Sequence, residues 1–229
     1  MEPQNYARQN FDNDLQELEH ELLEMASVVE KMMSDASQAL ISLDRKLALQ
    51  TIKQDDIVDQ LELKVEAHCM RIIALQNPTG ADLRLVGACL KIVTDLERCG
   101  DLAVDLAKAA LKIDNEGGRT DIIDLGKFAT LCRKMIHEAL EAYVRRDLER
   151  VATVGKMEYE ADGIYRELRA QVFLLMKRDP DSVVSDGWLF LAIHHLERIA
   201  DHSVNIAERV HYMVTGELKQ IAGFEESPA

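Results

Sequence analysis

Asp95-Leu-Glu-Arg-Cys-Gly-Asp101 has a second version 100 residues later, His195-Leu-Glu-Arg-Ile-Ala-Asp201 (201 − 101 = 100). In each version a Glu and an Asp stand four positions apart. On an α-helix this spacing places both carboxylates on one face, one turn apart. Like charges at this spacing repel, so a chain that contains the arrangement twice must gain something from it. The pattern indicates either a solvated acidic face or a metal site.

The repetition extends well beyond this signature. The offset is 103 residues between Met32 and Met135 (135 − 32 = 103) and 102 between Pro78 and Pro180 (180 − 78 = 102). A drift of three residues, placed in the turns, is what insertions in loops produce. The sequence therefore predicts an all-α fold of two tandem, repeated three-helix bundles with six long antiparallel helices. The bundles should pack consecutively, because each unit alone is too thin to have much core.

Apolar residues at a 3/4 spacing predict where the six helices run. The expected helices cover residues 11–43, 44 to the turn at 77–80, 81–112, 121–146, 147–177 and 186–214. The expected capping residues are Asp44 and Asp147 at equivalent places in the repeats, Thr79 with Asp82 as a capping box, Thr120 or Asp121, and Gly216 at the end of the last helix. The segments are then a flexible start at 1–10, a first repeat at 11–116, a linker at 117–120, a second repeat at 121–216 and a disordered tail at 217–229.

Composition and charge narrow the class of protein. A net charge of −14 argues against non-specific binding to nucleic acid or anionic lipid, and it is compatible with cations or a basic protein surface. The absence of an apolar leader and of any apolar stretch near ~20 residues predicts a cytoplasmic protein. Four cysteines, at no zinc or disulfide spacing, are expected to be buried, reduced thiols. Since no phosphate loop, Ser/His/Asp set or nucleophilic cysteine context is present, an enzyme is not indicated.

Four pairs of the form acid-x-x-x-Asp fall at repeat-equivalent places. They are Asp55/Asp59, Glu97/Asp101, Glu158/Asp162 and Glu197/Asp201, and the stripe continues through Asp105 and Asn205. If the second and third helices of each unit are antiparallel neighbours, their pairs converge into a cluster of four carboxylates. Such a cluster repels itself, so Arg98 and Arg198 or bound cations must neutralise it. Oxygen-only ligation suits magnesium, calcium, manganese or iron more than zinc.

Two other motifs keep a different function open. Glu17/His20 and Glu208/His211 match the Glu-x-x-His of di-iron helical bundles, although they stand near the chain ends at non-equivalent repeat positions. A metal-storage or redox di-iron protein would use the same carboxylates. A plain structural bundle is the third alternative. His194 and His195 directly precede the Leu-Glu-Arg of the second version and are expected to be partly exposed.

At these motifs the chain closely resembles the PhoU family of phosphate-signalling regulators. The matching stretches are Ile73-Ala-Leu-Gln-Asn-Pro78, Asp82-Leu-Arg84, Lys91-Ile-Val-Thr-Asp-Leu-Glu-Arg98 with Gly100-Asp101, Leu196-Glu-Arg-Ile-Ala-Asp-His202, Asn205-Ile-Ala-Glu208 and Tyr212-Met-Val-Thr-Gly-Glu217. The resemblance implies a pair of three-helix bundles, acid-x-x-x-Asp motifs that bind metal ions in some members, and frequent homodimers.

The resemblance also implies a function. A PhoU-like protein represses the phosphate-starvation response when phosphate is plentiful. It does so as an adaptor between the ATPase subunit of the high-affinity phosphate ABC transporter and a membrane sensor histidine kinase, and it reaches the membrane only through these partners. Two residues depart from the family pattern, Asp105 in place of Asn and Cys99 in place of Ile. The first adds charge to the first cluster and the second adds a soft ligand beside it, so the two sites are expected to differ in affinity.

Overall fold

The fold consists of α-helices arranged around two long central helices. The computed structural model describes the backbone of residues 3–221 and the side chains of residues 9–221, and it contains no β-strand in this part of the chain. The elements are α1 (Pro3–Ser42), α2 (Arg45–Ile52), α3 (Asp55–Gln76), α4 (Gly80–Asn115), α5 (Leu125–Arg145), α6 (Leu148–Arg178), a 3₁₀ turn (Pro180–Ser182) and α7 (Val183–Thr215). The expected all-α class is confirmed. None of these helices is long and apolar enough to cross a membrane.

Three of the expected helix boundaries are confirmed by their capping contacts. The Asp44 side chain accepts hydrogen bonds from the backbone N–H groups of the second and third residues after it. Asp147 makes the same pair of contacts at the equivalent place in the second repeat. Gly216 ends α7 in the left-handed conformation (φ +81°) and donates its N–H to the Tyr212 carbonyl at 2.8 Å.

The second expected helix is not continuous, which corrects the sequence-based prediction. Its chain bends at residues 53–54, where the Gln54 N–H reaches the Thr51 carbonyl at 3.0 Å in a tighter, 3₁₀-type bond. The buried Thr51 donates its hydroxyl back to the Leu47 carbonyl at 3.0 Å, a contact that bends helices. Val154 stands 103 residues later (154 − 51 = 103) and has no hydroxyl, and α6 continues through that position without a break.

Other boundaries also differ from expectation. Helix α1 begins at Pro3 rather than at residue 11, and α7 begins at Val183 rather than at residue 186. The predicted capping box is wrong, because Thr79 makes no side-chain capping hydrogen bond. The expected disorder of the tail falls mostly on residues 222–229, which lie outside the described part of the chain.

Helix α5 begins at Leu125 and is capped by Asp124, not by Thr120 or Asp121. The Asp124 side chain accepts from the N–H of the third residue after it. The Thr120 hydroxyl instead donates to the Ile41 carbonyl of α1 at 2.9 Å, and Asp121 is paired with a neighbouring arginine. The linker therefore extends to residue 124.

Helices α4 and α7 form the centre of the molecule and run antiparallel. Arg84, near the start of α4, lies 3.5 Å from the Met213 carbonyl near the end of α7, and Asp95 contacts His202 further along. Helices α1, α2 and α3 pack on α4, α5 and α6 pack on α7, and one continuous apolar core runs through both repeats. Gly100 allows α3 to approach α4 closely, since a Cβ there would lie 3.2 Å from Val58 Cγ1.

Candidate metal-binding carboxylate clusters

The first cluster lies where α3 passes α4. Asp55 and Asp59 extend from α3, and Glu97 and Asp101 extend from α4. Burial raises the pKa of Asp55, and the charges of Asp59 and Asp101 raise it further. Burial also raises the pKa of Glu97 to about 7, with the Asp101 charge as the next cause. The charges of Asp55 on α3 and Asp101 on α4 thus act on each other across the helix pair, and convergence of all four carboxylates on one ion stays a prediction.

Glu62 joins the first cluster, although the sequence analysis did not include it. Burial raises its pKa, and Asp59 and Asp101 are among the charges that raise it further. Its position three residues after Asp59 keeps it on the same helix face. The three-residue spacing from Asp59 places Glu62 near the cluster, but the equivalent residue of the second repeat is Tyr165 (165 − 62 = 103), so Glu62 does not belong to the repeated motif.

Positive side chains balance part of the first cluster. Arg98 donates from one terminal nitrogen to Asp101 Oδ2 at 2.8 Å, and its Nε lies 3.3 Å from Glu97 Oε2. Lys108 Nζ lies 3.3 Å from Asp105 Oδ1, which places Asp105 at the edge of the cluster. Arg98, Asp101, Asp105 and Lys108 line one cavity of about 230 Å³; its other lining residues are Asp55, Leu102, Val104 and Arg198.

The second cluster lies where α6 passes α7. Burial raises the pKa of Glu158 to about 7, followed by the charges of Asp162 and Asp201. Burial likewise raises the pKa of Asp201 to about 6, followed by the charges of Glu197 and Asp162. In place of an arginine, His194 Nδ1 lies 3.1 Å from Glu197 Oε2. The contact at Glu197 is therefore with an imidazole, where its repeat equivalent Glu97 has a guanidinium.

Asn205 faces the other repeat rather than this cluster. Its amide donates to Asp95 Oδ1 at 3.1 Å, and His202 Nδ1 lies 3.0 Å from the same oxygen. Asp95 therefore links α4 to α7 through two polar contacts, a role that the sequence analysis missed. Its partners lie more than 100 residues away in the sequence, so no local sequence pattern predicts these contacts.

One buried carboxylate oxygen in each cluster bears on whether a cation would fit there. Glu97 Oε2 and Glu197 Oε2 occupy equivalent positions, and both are buried without a hydrogen-bond donor of good geometry. Arg98 and His194 lie near these two oxygens but direct no well-aligned hydrogen bond at them. A buried carboxylate oxygen without such a bond is unfavourable, and an oxygen-seeking cation could bind it directly. The residues therefore suit the expected oxygen-ligated metal. Ligation by the eight motif carboxylates stays a prediction.

The cysteines and the Glu-x-x-His motifs have other roles. All four cysteines are free and buried, as expected. Burial raises the pKa of the Cys99 thiol, so a thiolate ligand beside the first cluster is not favoured. Glu17 and His20 are exposed, and Glu208 accepts a hydrogen bond from the Ile221 N–H. His194 and His195 are partly exposed, as expected. The two Glu-x-x-His motifs do not face a shared four-helix core.

Comparison with known proteins gives consistent matches over nearly the whole chain. The PhoU domain model matches residues 22–110 and again residues 125–210. The phosphate-specific transport system accessory protein PhoU homolog of Clostridium acetobutylicum is 36% identical over 211 residues, which cover 92% of this chain and 96% of the relative. The homolog from Pseudomonas aeruginosa is 34% identical over 92% of this chain and 88% of its own length.

Two solved structures share the architecture. The crystal structure of PhoU from Pseudomonas aeruginosa aligns with a TM-score of 0.87 at 35% identity, covering 90% of this chain and 100% of that one. The phosphate transport system regulatory protein PhoU from Streptococcus pneumoniae aligns with a TM-score of 0.84 at 32% identity, covering 91% and 99%. The similarity therefore includes both repeats and the way they pack.

Proposed function

The chain belongs to the PhoU family, and on this premise we propose that it is an accessory regulator of phosphate-specific transport. The observation that carries the proposal is the presence of two PhoU domains in a chain that matches accessory proteins of this transport system over nine-tenths of its length. A regulatory role also agrees with the sequence, in which no catalytic constellation was found.

We further propose that the protein is a cytoplasmic, non-enzymatic adaptor. It links the ATPase subunit of the phosphate ABC transporter to a membrane sensor histidine kinase and represses the starvation response when phosphate is plentiful. Support comes from large apolar side chains that are exposed on the outer helices of both repeats, Leu63, Met70 and Leu75 on α3 and Phe173 and Leu174 on α6. Exposed apolar side chains of this kind are available to partner helices or to a second copy in a homodimer.

We further propose that metal ions bind the acid-x-x-x-Asp clusters. The ligands would be Asp55, Asp59, Glu97 and Asp101 in the first and Glu158, Asp162, Glu197 and Asp201 in the second, with Asp105 at the rim of the first. A bound magnesium, manganese, calcium or iron ion would supply the positive charge that these carboxylates lack. The protein's own contribution is to hold α3 against α4 and α6 against α7, so that the pairs face each other.

A reporter assay tests the regulatory role. In a bacterium that lacks its own PhoU protein, a phosphate-starvation promoter should stay active in phosphate-rich medium. Expression of this chain should silence that promoter, and an empty vector should not. A promoter that stays equally active with the chain and with the vector would contradict the regulatory role.

A pull-down tests the adaptor. The tagged chain, purified from phosphate-replete cells, should retain the transporter ATPase and the sensor kinase, and a tagged unrelated helical bundle should retain neither. Recovery of neither partner would contradict the adaptor role. It would not affect the regulatory role, which the reporter assay tests separately. The double variant Asp101→Asn plus Asp201→Asn, with Glu160→Gln as its control, tests whether the clusters matter to either readout.

A further inference from the structure

A third group of ligand-type side chains lies between α1 and α3, away from both signature sequences. Asp14, Glu17 and His68 each offer one ligand atom, and these atoms all lie within 4.8 Å of one another. Unlike the carboxylate clusters, this group contains an imidazole. His68 is buried, with 6% of its surface exposed, whereas Asp14 is half-buried and Glu17 is exposed. The group is therefore buried on the imidazole side and open to solvent on the Glu17 side.

A buried carboxylate fixes the orientation of the His68 ring. The Nδ1 atom lies 2.7 Å from Glu21 Oε2, and both side chains are buried. Because a carboxylate accepts hydrogen bonds, Nδ1 carries the proton and Nε2 keeps its lone pair. A carboxylate behind Nδ1 and an unprotonated Nε2 in front make up the arrangement that supports histidine ligands of metal ions.

The space in front of Nε2 is taken by a flexible cationic side chain. A terminal nitrogen of Arg71 donates to Nε2 at 2.9 Å and lies 3.9 Å from Asp14 Oδ1. The Arg71 guanidinium thus sits between the imidazole and the carboxylate, where a small cation would contact both. Half of its side chain is exposed (54%), so it can turn outward into solvent when another positive group replaces it.

We propose that Asp14, Glu17 and His68 Nε2 form a binding site for a first-row transition-metal dication, with Arg71 as the group that the metal displaces. One nitrogen and two carboxylate ligands suit zinc, cobalt, iron(II) or manganese better than magnesium or calcium. The site goes beyond the proposed function and does not depend on the oxygen-ligated clusters. A bound ion would join the N-terminal part of α1 to α3.

Cobalt(II) provides a visible probe for this site. The full-length protein is stripped with chelator, dialysed, and held in excess Mg²⁺ so that hard oxygen sites are filled before the Co²⁺ titration. Wild type should bind one Co²⁺ with visible ligand-field absorption, and Glu17→Gln should weaken that binding by about tenfold or more. Glu17 is exposed, so this variant removes a ligand without disturbing the core. His68→Gln should remove the nitrogen ligand and shift or abolish the spectrum.

Arg71→Gln separates a metal site from a plain ion-pair network. If Arg71 competes with metal for Nε2, its removal should tighten Co²⁺ binding. His20 is an exposed histidine one turn after Glu17 on α1, and His20→Gln should leave the Co²⁺ titration unchanged. The double variant Asp101→Asn plus Asp201→Asn should also leave it unchanged. Equal binding by wild type, Glu17→Gln and Arg71→Gln would overturn the proposal, and so would loss of the signal in the Asp101/Asp201 double variant.

Discussion

Replacing Glu158 by Gln should stabilise the metal-free protein above neutral pH and weaken its response to metal. Glu158 belongs to the second cluster, in which burial and the charges of Asp162 and Asp201 raise its pKa to about 7. The charge of Glu208 raises this pKa as well. Its ionised form is therefore unfavourable in the folded chain unless a cation is bound.

The sign of the pH dependence follows from the direction of the shift. With a pKa raised from 4.5 to about 7, the Glu158 carboxyl holds its proton more tightly in the folded chain than in the unfolded chain. The free energy of unfolding of the metal-free protein therefore falls as pH rises through that window, and it is level above it. The full shift corresponds to about 3 kcal/mol, and solvent screening of a partly exposed group reduces this to about 1 kcal/mol. For a chain of this size, about 1 kcal/mol changes Tm by roughly 2–4 °C.

Thermal melting in chelator at several pH values measures the effect. The Glu158→Gln variant should melt roughly 2–4 °C above wild type at pH 8, and the two curves should converge near pH 5. Added Mn²⁺ or Mg²⁺ should raise the Tm of wild type more at pH 8 than at low pH, because protons compete with metal for the carboxylate oxygens. The variant should gain less.

Glu160→Gln is the matched control, since it makes the same charge change at an exposed position two residues away on α6. It should follow the wild-type pH profile and keep the full response to metal. The reasoning would be refuted if Glu158→Gln and wild type showed the same pH dependence in chelator and the same gain from metal.

Three further substitutions test the fold that positions the clusters. Gly100→Leu should lower stability by about 1–3 kcal/mol in urea unfolding, because even a Cβ at this position would lie 3.2 Å from Val58 Cγ1. Asp44→Ala should lower it by about 1 kcal/mol through loss of the α2 cap, and restoration by Asp44→Ser would confirm the capping role. Asp95→Ala should cost about 1–3 kcal/mol, and a double-mutant cycle with His202→Ala should show coupling across α4 and α7; additive losses would contradict the link.

Much of the fold could be predicted because its signals are local. Asp44 caps α2 through backbone groups only two and three residues away, so the sequence alone places it. The bend after Thr51 depends on burial of that side chain, which is a tertiary outcome. The start of α5 is similar, since the Thr120 hydroxyl reaches Ile41 in α1 and holds the chain outside the helix. Asp121 and Asp124 are both residue types that cap helices. Because the Thr120–Ile41 contact holds the chain outside the helix at that point, Asp124 is the one that caps α5.

The candidate sites likewise include one kind that local sequence patterns predict and one kind that depends on contacts between helices. The acid-x-x-x-Asp pairs could be predicted because both members lie on one helix and recur at equivalent places. The group around His68 could not, because its ring is oriented by Glu21, which lies 47 residues earlier on another helix. The sequence had paired Glu17 with His20 by local spacing, whereas the fold brings Glu17 to His68. When the ligands come from different helices, their separation along the sequence follows no fixed pattern, and the sequence alone does not predict the site.

The two clusters differ in the positive side chains around them, although their sequence motifs match. Both contain Leu-Glu-Arg, yet both arginines lie at the first cluster, where Arg98 pairs with its carboxylates and Arg198 lines the cavity. The first cluster thus has six carboxylates (Asp55, Asp59, Glu62, Glu97, Asp101 and Asp105) against three cations (Arg98, Lys108 and Arg198), a formal charge of 3 − 6 = −3. In the second, the charge of Glu208 also acts on Glu158, His194 and His202 act on Asp201, and Arg166 donates to the Asp162 carbonyl rather than to a carboxylate. Arg98 pairs directly with carboxylates of the first cluster, whereas the contact at Glu197 in the second is with a histidine. If a cation binds, we therefore expect it to stabilise the second cluster more than the first.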